Sequence, residues 1–189
     1  MAFISSTAFE PRVVNGEFDA LANITGKYMA SSAPADCSAG LLCVRTTLLP
    51  CEGFGSEVFN ENAFYMEAAT SSVTANTPIY ACNTHEAKRV DGYYLGTETL
   101  GLGVPANEYG NFTRIAFDGV SKYRFGEGNF TAAISDASYV VFDDGGLLAS
   151  ASEAPSDAGT PYFVVMGTGA FIEGNIDSFG YVDLEAHIA

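Results

Sequence analysis

Apolar and polar residues alternate along this chain in short bursts of four to nine, and turn formers separate the bursts, a pattern that predicts strands rather than helices. The clearest case lies between Phe112 and Phe125. FTRIAF and VSKYRF are two six-residue alternating runs with Asp118-Gly119 between them. An Asp-Gly pair suits a two-residue type I′ turn, whose central residues both need φ > 0. The pattern therefore predicts a β-hairpin with Phe117 facing Val120, Arg114 facing Tyr123 and Phe112 facing Phe125. Cross-strand pairs of this kind contribute roughly 0.2–1 kcal/mol each.

The same reading predicts strands over Leu41–Leu49 (LLCVRTTLL, ended by Pro50), Asn62–Ala68 and Pro78–Cys82. Further strands are expected over Phe130–Ile134, Tyr139–Phe142, Tyr162–Met166, Phe171–Ile172 and Tyr181–Ala186. Asp143-Asp144-Gly145-Gly146 reads as a tight turn, and Glu52-Gly53-Phe54-Gly55 as another. Ala149–Thr160, rich in Ser, Ala, Pro and Asp, reads as a long exposed loop, and Thr84–Val90 as a loop or one helical turn. Residues 1–40 are interrupted by Pro11, Asn15-Gly16, Gly26 and the Ser31–Gly40 stretch. They are expected as an irregular N-terminal arm with room for a short helix over Glu17–Ala22, leaving 41–189 as the β-domain. The fold class expected is all-β: a single β-sandwich or barrel-like domain of short strands and long loops.

Composition sharpens this picture. A chain of 189 residues can bury a real core without staples. Twenty glycines, fourteen phenylalanines and ten tyrosines favour sheets and turns. Only 16% of residues are charged, against roughly 25% in an average soluble domain, which suggests that other subunits cover part of the surface. The net charge is −15, and Arg124 is the last basic residue. So acidic a C-terminal third repels phosphate backbones and anionic lipid, so neither direct nucleic-acid nor membrane binding is expected. No apolar run approaches the ~20 residues of a membrane helix. The opening MAFISSTAFEPR lacks a basic segment followed by an apolar one, so synthesis and retention in a cytoplasm is expected.

Candidate chemistry is sparse. Cys37, Cys43, Cys51 and Cys82 are spaced 6, 8 and 31 positions apart, with no Cys-x-x-Cys and no zinc spacing to His85 or His187, so reduced, mostly buried thiols are expected. Asp143-Asp144 precede Gly-Gly, where adjacent acids serve turn geometry; a glycosidase pair would need carboxylates converging from different strands. Clustered acids also suit calcium, but no EF-hand loop is present. His85-Glu86 reads as a loop histidine, and no Gly-x-Ser-x-Gly elbow occurs. The Gly-x-Gly pairs Gly53/Gly55, Gly101/Gly103 and Gly167/Gly169 lack the third glycine of a nucleotide loop and read as bends and bulges. Lys88-Arg89, Arg114, Lys122 and Arg124 are expected to gather in a basic patch that pairs with acids across a subunit contact. No catalytic, cofactor-binding or metal residue is assigned, and no enzyme activity or cofactor is expected.

SSVTANTPIYACN, LGLGVPANEYGNFTRIAFDG and KYRFGEGNF, in the middle third at roughly residues 56–125, resemble the small head-decoration proteins of tailed bacteriophages. The resemblance implies a virion structural protein on the outer capsid surface, made in the bacterial host cytoplasm. Its partners would be the phage major capsid protein and further copies of itself, trimers among them. Its implied role is to reinforce the lattice against internal DNA pressure, without an active site. Two other readings stand beside it: a tail or collar component, and a β-sandwich carbohydrate-binding or adhesion module in which exposed tyrosines stack on sugars. The absence of Trp counts against the module.

Overall fold

A computed structural model describes residues 9–13, 23–50, 59–83, 89–90, 93–94, 103–134, 137–173 and 176–189. The described residues form fourteen strands: β1 (Phe9–Val13), β2 (Asn23–Ala30), β3 (Ala33–Pro34), β4 (Leu42–Pro50), β5 (Phe59–Ala68), β6 (Ile79–Cys82), β7 (Arg89–Val90) and β8 (Tyr93–Tyr94), followed by β9 (Gly110–Arg114), β10 (Lys122–Gly126), β11 (Tyr139–Phe142), β12 (Leu148–Ala151), β13 (Pro161–Glu173) and β14 (Ile176–Ile188). The all-β expectation holds, with barrel and open sheet side by side.

The barrel has the order β2-β5-β4-β6-β9 and closes through β2–β9. Its one parallel pair is β2–β5, with Thr25 opposite Ala63. The closing pair is antiparallel, with Ile24 opposite Phe112. Five strands leave a lumen that side chains fill: Ile24, Tyr28, Cys37, Cys43, Met66, Tyr80, Cys82, Val104 and Phe112 form one buried cluster. The second sheet is antiparallel, in the order β1-β10-β14-β13-β11-β12.

β4 and β6 are the wall between the two halves. Cys43, Tyr80 and Cys82 belong to the barrel cluster, whereas Leu42, Ile79 and Ala81 pack with Phe125, Val140, Phe163 and Leu184 of the sheet. Both faces of β6 are therefore covered, which is why IYAC is apolar without alternation. Polar bonds stitch the seam. The Asn129 amide, 1% exposed, donates to the Ala39 carbonyl at 2.8 Å. The Gly146 N–H donates to Ala69 O at 2.9 Å, and the Ala69 N–H to Leu42 O at 2.8 Å.

The hairpin expected between Phe112 and Phe125 does not form. β9 spends both edges on β6 and β2, while β10 lies between β1 and β14 in the other sheet. Arg114 consequently faces Tyr80 rather than Tyr123, and Phe125 meets Phe9 rather than Phe112. The connection crosses from barrel to sheet. The Ala116 N–H donates to the Tyr123 hydroxyl at 2.8 Å, and the Gly119 N–H to Ala186 O at 2.9 Å. Gly119 keeps the left-handed φ of +74°, but Asp118 does not share it, so the turn is not type I′.

Other expectations shift as well. The described part of residues 1–40 is no irregular arm: it supplies β1 to the sheet and β2 and β3 to the barrel. Phe130–Ile134 is not a strand; Phe130 makes an isolated bridge to Leu148. The loop expected over Ala149–Thr160 begins later, because β12 runs to Ala151. The separate short strands over Tyr162–Met166, Phe171–Ile172 and Tyr181–Ala186 are parts of one 13-residue pair, β13 and β14. Gly167 does mark a bulge, since the register shifts between Val165 and Gly167. Glu17–Ala22, Glu52–Gly55, His85-Glu86 and Gly101 lie outside the described residues.

Candidate functional site

Three places gather chemistry-bearing side chains: the barrel lumen, the turn joining β11 to β12, and the outer face of the open sheet. In the lumen, Cys37, Cys43 and Cys82 are thiols outside any disulfide, each 1% exposed or less. The Cys82 Sγ–H points at Cys37 O at 3.9 Å, and Cys43 Sγ–H at Leu41 O at 3.7 Å. The neighbouring Cys43 thiol, with burial, pushes the Cys37 thiol well above its ordinary value, the Cys82 thiol opposing. Burial, then proximity to Cys43 and Cys37, pushes the Tyr28 hydroxyl up to about 12. A thiol so raised in an apolar lumen, as that of Cys37 is, is a packing group and a poor nucleophile. Cys51 lies outside the described residues.

At the β11–β12 turn the two adjacent acids serve geometry. Asp143 Oδ1 accepts the Asp144 N–H at 2.8 Å, closing the turn. Asp144 Oδ1 accepts the N–H and hydroxyl of Ser71 at 3.1 and 3.0 Å, and those bonds hold its carboxyl below the usual range. Sheet and barrel are thereby tied at the surface, and each of the two carboxylates is occupied by a turn or seam contact. Among the described residues no three of His, Cys, Asp and Glu are placed to hold a metal ion.

The outer face of the sheet carries a network of charges and rings. Arg124 grips Asp183 with two bonds, Nε–Oδ1 at 2.7 Å and an Nη2 donor to Oδ2 at 2.8 Å, and its guanidinium lies 3.6 Å from the centre of the Tyr181 ring. Lys122 Nζ lies 3.4 Å from Glu185, which also accepts a 2.8 Å bond from His187 Nε2. The His187 bond, aided by Lys122, holds the Glu185 carboxyl low. Of the expected basic patch Lys88 lies outside the described residues, and Arg114, Lys122 and Arg124 do not gather. Lys122 and Arg124 pair with acids of their own chain, and Arg114 stands apart on the barrel.

Tyr139, Tyr162 and His187 form a row on this face, with ring centres 6.1 and 5.5 Å apart. The Tyr162 and His187 rings are stacked at 28°. Rings stacked on one another spend those faces internally, whereas a sugar platform needs open ones.

Asp118 is a further carboxylate with an organised environment, and sequence reasoning gave it only a turn role. Its Oδ1 accepts the Val120 and Ser121 N–H groups at 3.0 and 2.7 Å, and its Oδ2 the Ser121 hydroxyl at 2.9 Å. Burial works to raise this carboxyl, but those bonds, the Ser121 amide foremost, outweigh it and hold the group below its ordinary value. A carboxyl depressed in the folded state stabilises fully above its unfolded pKa and loses that contribution as pH falls through the folded one. Asp118→Asn should therefore lower Tm at pH 7 and flatten the decline of Tm as pH falls through the carboxylate range; an unchanged acid limb in a thermal melt series contradicts this.

No helix among the described residues is long and apolar enough to cross a membrane. The chain matches no protein-family model, no curated protein and no solved structure.

Proposed function

We propose that this chain is a non-catalytic virion structural protein of the head-decoration type, binding the outside of a phage capsid lattice and turning its acidic sheet outward. The observation that carries the reading is the division of charge between the two halves. Residues 118–189, which build most of the open sheet, hold two bases against eleven acids. Residues 1–117, which supply the barrel, hold six bases against twelve acids. The less acidic half approaches a protein lattice with less repulsion, and the more acidic sheet, turned outward, keeps particles apart.

The occupied state of the carboxylates and thiols described above supports a structural role over a chemical one. The decoration-like segments fall on β6 and β9 of the barrel and on β10 of the open sheet. The mechanism is cementing: modest contacts spread over several lattice subunits, multiplied by avidity. The carbohydrate-module reading has less support, because Tyr162 stacks on His187, and the ring faces of Tyr181 and Tyr109 carry Arg124 and Lys27. Purified chain added to particles grown without it should co-sediment to saturation and raise the temperature at which they release DNA. Failure to co-sediment overturns the reading, and saturation at a few copies reassigns it to tail or collar.

A further inference from the structure

The barrel lumen brings three thiols into contact. The Cys37 thiol meets those of both Cys43 and Cys82, and each of these residues is 1% exposed or less. They come from three separate pieces of chain: Cys37 from the segment before β4, Cys43 from β4 and Cys82 from β6. Backbone bonds fix the first piece in place. The Cys37 N–H donates to Val104 O at 2.8 Å, and the Val104 N–H returns a bond to Cys37 O at 2.7 Å. Further along, the Gly40 N–H donates to Cys82 O at 2.8 Å, and the Cys82 N–H to Leu41 O at 3.0 Å. The segment 37–41 is therefore clipped against β6 at Cys82 itself.

The two neighbours of Cys37 are not equivalent. Cys82 Sγ lies 3.9 Å from the Cys37 carbonyl oxygen, at the backbone of the residue it would join. Cys43 Sγ turns back along its own strand, towards Leu41 O at 3.7 Å. A disulfide demands a close and fixed approach of its two backbones, which the clip between segment 37–41 and β6 supplies for Cys82. The same segment carries the seam. Ala39 O accepts the Asn129 amide at 2.8 Å, so whatever holds Cys37 to β6 also holds the open sheet against the barrel.

We infer that Cys37 and Cys82 form a redox lock: a pair of thiols that hydrogen peroxide converts to a disulfide inside the lumen, pinning the seam segment to β6. The step balances. The Cys82 sulfur attacks one peroxide oxygen, the O–O bond breaks, and the leaving hydroxide takes the thiol proton as water. The Cys37 sulfur then attacks the sulfenic sulfur, the S–O bond breaks, and a second water leaves with the Cys37 proton. Two thiols are oxidised and one peroxide is reduced. Cys37 is a poor nucleophile, but it attacks a sulfur that it already touches, and that contact offsets its low thiolate fraction. Burial makes the lock slow, since peroxide reaches Cys82 only when the barrel opens locally. The bond joins residues 45 positions apart and encloses β4 and β5, so it strongly restricts the unfolded chain. It stands independently of the virion reading, since it concerns this chain alone.

Thiol titration, peptide mass spectrometry and thermal melts of the purified full chain, before and after peroxide, test it. With Cys51→Ala leaving the three lumen thiols, the titrated count per chain should fall from three to one. Fragment spectra should place the new bond between Cys37 and Cys82, and spectra of the oxidised wild type locate the same bond without any substitution. The oxidised chain should melt roughly 5–15 °C above the reduced one, and a dithiol reductant should remove the gain. Cys82→Ala should abolish both crosslink and gain, and Cys43→Ala should keep both. A count that stays at three in the folded protein, a bond formed by Cys43 instead, oxygen added without a crosslink, or an oxidised chain that melts no higher would each overturn the lock. None of these results bears on whether the chain is found in virions, so the two proposals fail separately.

Discussion

Phe163→Ala should destabilise the protein by about 3–5 kcal/mol and lower Tm by roughly 6–20 °C. Phe163 is fully buried at the middle of the seam. Its ring lies 5.4 Å from Phe117, 5.7 Å from Phe142 and 6.0 Å from Phe125. Truncation removes apolar area and three ring contacts at once, and it leaves a cavity bounded by two sheets that cannot collapse independently. Phe163→Leu, which refills most of the volume, should recover more than half of the loss. Thermal or urea melts measure both. A loss under about 1 kcal/mol would mean that barrel and sheet do not share a core, because fully buried Phe truncations cost several times that.

Gly146→Val should cost about 2–5 kcal/mol, from two separable sources. Gly146 holds a φ of +77°, where a side chain costs about 1–2 kcal/mol, more if β-branched. A Cβ there would also lie 2.4 Å from the Leu42 carbonyl oxygen and 3.0 Å from Leu41 Cγ, forcing the seam apart at a further cost of about 1–3 kcal/mol. Gly145 is the internal control: its φ is also +77°, but a Cβ there meets nothing within 4 Å. Gly145→Val should therefore show the backbone cost alone. Equal losses at the two positions would mean that the β11–β12 turn does not press on β4.

Local structure was legible in the sequence where strand and turn chemistry agreed. Tyr139–Phe142 is a strand with the expected bounds, the Asp143–Gly146 turn follows it, and Leu41–Leu49, Asn62–Ala68 and Pro78–Cys82 correspond to β4, β5 and β6. Pairing was not legible, because it is decided by edges far apart in sequence. FTRIAF and VSKYRF alternate as hairpin strands do, yet their edges are taken by β2 and β6 in one case and by β1 and β14 in the other. β2 was hidden by Gly26, which reads as a break. In the barrel a Cβ at that position would lie 2.4 Å from Met66 Cγ and 2.9 Å from the Phe112 ring, so the glycine is what lets both fill the lumen.

The candidate site was legible only in part. The turn role of Asp143-Asp144 and the burial of Cys37, Cys43 and Cys82 follow from residue type and spacing. The grip of Arg124 on Asp183 and Tyr181 joins residues 57 and more positions apart, and no local signal announces it. The length of the β13–β14 ribbon was masked by Gly167 and Gly169, which broke one long strand into fragments when read alone.

The measurement that bears most directly on the proposed role is quantitative mass spectrometry of gradient-purified particles from a culture producing this chain, counted against the major capsid protein. Decoration of the whole lattice predicts a ratio near one. Absence from the particles, with the chain abundant in the lysate, would contradict it.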